Sequence, residues 1–360
     1  MSLYDELRKK YFSLQFPLTN HHLCDNLLTM TLATLSKYET WADKALVGEV
    51  LSREEALDVL NTPDDELEHL LEATRRVREK YFGRRVKVCV LLNAQSGICP
   101  EDCNYCSQSK ISKAPVEKYK LMTAEAIVDR ARQAASTGAK RFCIVMAARG
   151  PQDKDIDHLC DATRQIKKET GISHLEICLS LGLTDLDKCK RLKAAGVDYV
   201  NHNLNTSEEH YADICSTHTY ADRVETIKNI KEAGLHTCSG GIVGMGETLE
   251  DIVDMSFSFR EMDIESIPIN FLLGIPGTPL ENQEPIEPRH GLKVLCLMRL
   301  QNPDKEVRVA AGREVHLKGL QHQALAAANS LFVDGYLTEP GDSSEKVKLW
   351  LESEGYQLEV

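Results

Sequence analysis

No apolar run in this 360-residue chain matches a bilayer-spanning helix. The most apolar early segment, Leu23 to Leu35, carries Asp25 and falls short of the roughly 20 apolar residues a span needs. It reads instead as a helix packed on the protein. No signal-peptide pattern is present. There is no clustered Lys/Arg stripe and the net charge is −12, which argues against a nucleic-acid or anionic-membrane surface. Twelve cysteines are too few, in a chain this long, for a secreted disulfide framework. They read as thiols in a reducing cytoplasm, several of them held by metal. The histidines show no H-E-x-x-H or similar pairing, and Gly240-Gly-Ile-Val-Gly244-Met-Gly246 does not fit the dinucleotide fingerprint G-x-G-x-x-G. What is there is an ordinary globular balance, 42% hydrophobic and 27% charged.

Residues 1 to about 80 read as a helical N-terminal extension packing on the rest. Ser52-Arg-Glu-Glu55 is a capping box, and Thr62-Pro63 puts proline at a first helical position. From residue 86 short β-branched runs alternate with amphipathic helices. The runs are Val86–Asn93, Arg141–Ala147, His174–Leu181, Tyr199–Asn205, His236–Val243, Ile267–Leu273, Glu306–Ala311 and Leu331–Tyr336. Helices open near Thr123, Thr184, Thr219 and Thr248, and the first three close near Gly138, Gly196 and Gly234. Eight strand–helix units in about 250 residues predict an α/β fold, a (β/α)8 TIM-type barrel over residues 81–360 with a C-terminal helix. A doubly wound sheet would show fewer strands and a phosphate loop after the first. Here a cysteine loop follows the first strand.

That loop, Cys99-Pro-Glu-Asp-Cys103-Asn-Tyr-Cys106, has the spacing C-x3-C-x2-C. Three thiolates this close converge only if the chain wraps round something, usually a metal centre; a four-iron cluster so held keeps one iron open to an outside ligand. A zinc loop or a disulfide with a spare thiol is the plainer alternative. In barrels of this kind the site lies at the C-terminal strand ends, where polar residues inside apolar strands become informative. Cys143, Glu176, Cys178, Asn201, Asn203, Asn205, Cys238, Asn270 and Arg308 are such residues. Alternation puts Glu176 with Cys178 on one face, and the three asparagines on another. One buried cysteine is usually only a small hydrophobe. Three on inward faces, joined by an arginine, point to a second metal site. The chief rival is that Glu176 simply neutralises Arg308. Cys24, Cys89, Cys160, Cys189, Cys215 and Cys296 read as structural thiols without partners.

The cysteine loop by itself resembles the radical S-adenosylmethionine (SAM) superfamily. Together with Tyr199-Val-Asn-His-Asn-Leu-Asn-Thr-Ser207, Cys238 to Thr248, Pro268-Ile-Asn-Phe271 and Val307-Arg-Val-Ala-Ala-Gly-Arg-Glu314, it resembles the biotin synthase family from about residue 46 onward. The resemblance implies sulfur insertion between C6 and C9 of dethiobiotin through a 5′-deoxyadenosyl radical. It implies a 4Fe-4S cluster on Cys99, Cys103 and Cys106, and a 2Fe-2S cluster on Cys143, Cys178, Cys238 and Arg308. SAM contacts fall on Tyr105, Asn203, Asn205, Arg223, Ile242 and Gly244, and substrate contacts on Asn203 and Asn270. Asn205 stands where well-known members carry aspartate, which leaves its role less secure. A homodimer, and an electron donor such as flavodoxin or ferredoxin, are implied as partners. The rival readings are another radical SAM enzyme of this barrel type, a hydrogenase-cofactor maturase or a methylornithine-forming enzyme, and a non-catalytic iron–sulfur electron carrier or sensor.

Overall fold

A computed structural model describes residues 37–359. The described residues from Trp41 onward form one compact unit, and the fold below is that of this unit. The helix expected over Leu23–Leu35 lies outside the described residues. No described helix is long and apolar enough to cross a membrane.

The chain after residue 84 builds a closed parallel barrel. Its staves are β1 (Arg85–Gln95), β2 (Arg141–Met146), β3 (Glu176–Ser180), β4 (Tyr199–Asn201), β5 (His236–Cys238) continued by β6 (Gly241–Val243), β7 (Ser266–Phe271), β8 (Glu306–Val309) and β9 (Ser330–Val333). Pairing of β1 with β9 closes the ring, and a short β10 (Gln357–Leu358) adds in parallel to the start of β1. Each expected strand is present. The fifth is broken, because a Cβ on Gly240 would stand 1.7 Å from the Pro268 carbonyl oxygen; β5 and β6 meet β7 on either side of that close approach. The fourth run is cut short as well. Asn205 adopts φ 72°, so it does not continue the strand face of Asn201 and Asn203.

The helices have local causes. Ser52 and Glu55 form the capping box opening α1 (Arg53–Leu60). Thr62-Pro63 opens no helix directly; it leads into a turn, and α2 (Leu67–Phe82) starts four residues later from Glu66. Thr123 caps α3 (Ala124–Ser136), and a box between Gln152 and Asp155 opens α4 (Asp153–Lys168). Asp185, one residue beyond Thr184, caps α5 (Leu186–Ala195), which ends at left-handed Gly196. After the short α6 (Tyr211–Ile214), Thr219–Asp222 and Thr248–Asp251 boxes open α7 (Tyr220–Glu232) and α8 (Leu249–Glu261). The most buried helix among the described residues is α9 (Pro288–Gln301), with proline at its first turn; it packs between β7/β8 and the pair α1/α2. The short α10 (Arg313–His316) and the C-terminal α11 (Ser344–Ser353) follow. One apolar core lies outside the staves, under α3, α4 and α5. The lumen carries polar groups.

Candidate active site: a cavity with thiols at both ends

The first strand delivers the cysteine loop to the barrel mouth. Ser96 and Tyr119 exchange two backbone hydrogen bonds of 3.1 Å and tie the loop off at its base. Gly97 donates to Gln108 Oε1 at 2.9 Å. The Asp102 carboxylate accepts from the Ser216 and Thr217 amides at 3.0 and 3.2 Å, stapling the loop to residues 214–217. Burial alone would raise its carboxyl, but donors from Ser216, Cys215 and Thr217 outweigh that and hold it well below the usual range. Cys99 and Cys106 line the central cavity, of about 360 Å³. Cys103 sits behind them, its Sγ 3.8 Å from Cys215 Sγ and 3.6 Å from His218 Nε2.

At the far end the strand register brings the second set together. Cys143 and Cys178 are direct partners across β2/β3, and Cys178 also faces Cys238. Crowded together, the three thiols split: Cys178 is raised, foremost by its neighbours Cys143 and Cys238, while Cys143 and Cys238 are lowered by Cys178 and by the nearby cations Arg308 and Arg141. Arg308 directs Nη1 at Cys238 Sγ, 3.7 Å away. Its other donors go to Ser330 Oγ (3.0 Å), Ser266 Oγ (3.2 Å) and the Glu306 carboxylate. Burial pushes its guanidinium down, but Cys89, Glu306 and Cys238 more than restore it, so Arg308 stands as a cation.

Two of the alternatives open at the sequence level are thereby corrected. Glu176 does not neutralise Arg308. It pairs with Arg141 (2.7 Å) and Lys87 (3.2 Å) at the barrel floor, and Arg308 is paired by Glu306. Glu306 escaped notice although it shares the inward face of β8 with Arg308; the i, i+2 relation was the available signal. Nor are Cys89 and Cys215 without partners. Cys89 lies among the lumen thiols, its Sγ 3.5 Å from Ser330 Oγ, and Cys215 touches Cys103, His218 and Asp102. Neither grouping is local in sequence, so no spacing pattern announces it.

Between the two ends lie the expected polar residues. Asn203 Oδ1 accepts from Asn201 Nδ2 (2.9 Å) and the Gly240 amide (3.0 Å), which turns its Nδ2 hydrogens to other use. Asn270 bridges strand ends, donating to the Gly241 carbonyl at 3.1 Å and accepting from the Ala311 amide at 3.2 Å. Asn205 Nδ2 donates to Tyr105 Oη at 2.7 Å. Arg223, buried, donates to the Asn203 carbonyl at 2.8 Å and to the Tyr211 hydroxyl. Tyr105, Asn203, Asn205, Arg223, Ile242 and Asn270 all line the cavity, with Leu91, Val145 and Phe332 as apolar wall. Gly244 is set at φ 100°, its amide held by the Glu247 carboxylate at 2.6 Å.

The donor chemistry fits the groups expected. Soft thiols cluster at both ends of one cavity, and Arg308 brings its Nη1 to 3.7 Å from Cys238 Sγ, where the nitrogen could serve as a ligand once its proton is given up. Residues 94–257 match the Radical SAM superfamily, and residues 268–357 the Biotin and Thiamin Synthesis associated domain. The chain is 47% identical over 308 residues to biotin synthase from Rhodopirellula baltica, covering 86% of this chain and 85% of that one. It is 48% identical over 318 residues to the Geobacillus thermodenitrificans enzyme (88% and 95% covered), and 43% identical over 325 residues to that of Bacillus subtilis (90% and 96%). Among solved structures, methylornithine synthase superposes with TM-score 0.78 at 20% identity, covering 89% of this chain and 97% of that one. The FeFe-hydrogenase maturase from Carboxydothermus hydrogenoformans gives 0.75 at 18%, covering 92% and 83%. These two share the barrel, whereas likeness along most of the sequence is to the first group: the chain belongs to the biotin synthase family of radical SAM sulfurtransferases.

Proposed function

We propose that this chain inserts sulfur between C9 and C6 of dethiobiotin to give biotin. The carrying observation is the single cavity bounded by Cys99 and Cys106 at the mouth and by Cys143, Cys178, Cys238 and Arg308 at the inner end. Cys99, Cys103 and Cys106 would hold a 4Fe-4S cluster, and the inner four a 2Fe-2S cluster. When bound, these groups supply the electron that splits SAM into methionine and a 5′-deoxyadenosyl radical, and the sulfur that enters the product. Tyr105, Asn205 and Arg223 would orient SAM beside the mouth, with the backbone around Ile242 and Gly244 meeting its base. Asn203 and Asn270 would bind the ureido group of the substrate through neutral amides, adding no charge beside a reactive carbon. The apolar wall at Leu91, Val145 and Phe332 keeps water from it. A reductase of flavodoxin or ferredoxin type would deliver the electron, and the working form would be a homodimer.

Anaerobic reconstitution with reductant, SAM and deuterated dethiobiotin tests this. Label should pass into 5′-deoxyadenosine, and iron should approach about six per chain for the two clusters. Cys103→Ala should abolish SAM cleavage; Cys178→Ala should mainly remove the inner cluster's absorption and the biotin yield. Retention of both by Cys178→Ala refutes the assignment of the inner site. Deoxyadenosine formed without dependence on dethiobiotin refutes the substrate.

A further inference from the structure

One lumen thiol has no part in the reaction above. Cys89 is fully buried and packs in one cluster with Cys143, Cys178 and Cys238. A two-iron cluster on those three and Arg308 already has its four ligands.

The pairing of the staves shows where Cys89 stands. From Cys89, paired residues lead through Arg141 on β2 to Glu176 on β3, and Cys178 lies two residues further up β3. From Cys178 they lead through Tyr199 to His236, and Cys238 lies two further up β5. From Cys238 they lead through Ser266 to Glu306, two below Arg308 on β8. From Arg308 they lead through Ser330 to Lys87, two below Cys89. The circuit closes after four identical steps. Together these make the stagger of a TIM barrel, and each step is the lift that the tilt of the staves gives to one level. Cys89, Cys178, Cys238 and Arg308 are therefore the side chains of one layer, drawn from alternate staves. Cys143 enters from the layer above, on the stave between Cys89 and Cys178.

Cys89 thus shares a level with three of the inner ligands, and Cys178 and Arg308 are its neighbours round the ring. Ser330 links it to the arginine: its Oγ lies 3.5 Å from Cys89 Sγ and 3.0 Å from Arg308 Nε. A thiol that only fills space has apolar neighbours; this one has a ligand on either side. Arg308 does not need iron, because Ser330, Ser266 and Glu306 hold it as a cation. Thiolate is also the usual protein ligand of iron–sulfur clusters, four of them completing a two-iron one.

We infer that Cys89 is a reserve ligand of the inner site, taking the iron that Arg308 releases and completing the all-cysteine set Cys89, Cys143, Cys178 and Cys238. In the exchange one iron–nitrogen bond breaks and one iron–sulfur bond forms. Cys89 gives up its thiol proton as Arg308 Nη1 regains one, so the charge of the lumen is unchanged and no electron moves. A turn between staggered χ1 positions frees Sγ from Ser330. Iron then stays on thiolates while Arg308 returns to its carboxylate. The inference rests on the two-cluster reading proposed above.

The test is anaerobic reconstitution of the full-length chain with sulfide and Mössbauer-active iron, as parent, Cys89→Ala, Arg308→Met and the double variant. Parent, Cys89→Ala and Arg308→Met should each hold about six irons, and in Arg308→Met the two inner irons should become alike, all their protein ligands being sulfur. The double variant should hold about four, those of the mouth alone. A chelator should strip inner iron from Cys89→Ala about tenfold faster than from the parent, the loss expected even of an outer-shell partner. That comparison stands whether or not Arg308→Met folds, and a parental urea midpoint for Cys89→Ala separates ligand loss from misfolding. Inner iron kept by the double variant, lost already from Cys89→Ala or from folded Arg308→Met, or stripped at equal rates with and without Cys89, overturns the proposal. A parent that binds only about four irons overturns the two-cluster reading and this inference with it; failure confined to the variants leaves that reading standing.

Discussion

Replacing Glu306 by glutamine keeps the side chain's shape and removes one charge from the barrel floor, so no cavity confuses the outcome. In the structure this carboxylate takes two bonds from Arg141, at 3.1 and 2.9 Å, one from Arg308, and lies 3.4 Å from Lys87 Nζ. Arg141 and Arg308 are fully buried, and Lys87 nearly so. Without Glu306 the three cations face only Glu176 and Glu359, whose side chains are 22% and 31% exposed and therefore partly screened by water. Removing one partner from a buried ion pair costs about 3–5 kcal/mol, because the survivor remains buried and uncompensated. We expect Glu306→Gln to fall in that range in urea unfolding of the cluster-free chain. Arg308→Met should cost less, since Glu306 retains Arg141 and Lys87. The double variant should cost less than the sum, as expected for side chains in one network. A loss below about 1 kcal/mol for Glu306→Gln, the scale of an exposed pair, would refute the reasoning and mean that water reaches the floor of the lumen.

The same carboxylate sets an acid limb. Burial would raise Glu306, but Arg141, Arg308 and Lys87 hold it well below its ordinary value. The stability it contributes is therefore complete above the unfolded carboxyl value near 4.3 and drains as pH falls below it; thermal melts of Glu306→Gln should lose much of that slope. Gly240→Ala puts a Cβ against the Pro268 carbonyl and should destabilise by the upper end of about 1–3 kcal/mol, seen as a lowered Tm with weakened SAM binding. At Asn205, φ 72° penalises alanine but not glycine. Asn205→Ala should therefore be less stable than Asn205→Gly in urea unfolding, while both lose the Tyr105 bond and weaken SAM binding alike.

Much of this was legible in the chain itself. The β-branched runs and their capped helices mark the staves because period-two and helical patterns are local properties of a sequence. The C-x3-C-x2-C loop is equally local. The inner thiols were found by a weaker rule, inward alternation on separate strands, and the register across β2 and β3 brings Cys143 opposite Cys178. Alternation fails where the backbone leaves the extended region, as at Asn205, although that side chain still lines the cavity with Asn201 and Asn203.

What only the closed barrel decided is which buried charges and thiols meet. Glu306 finds Arg308 and Arg141, Glu176 finds Lys87 and Arg141, and Cys215 with His218 finds Cys103 across more than a hundred residues. Sequence by itself determined the element types, the cysteine loop and the family likeness. The pairings depend on barrel stagger and on loops crossing the mouth, and both are set by packing of the whole ring, which no single segment encodes.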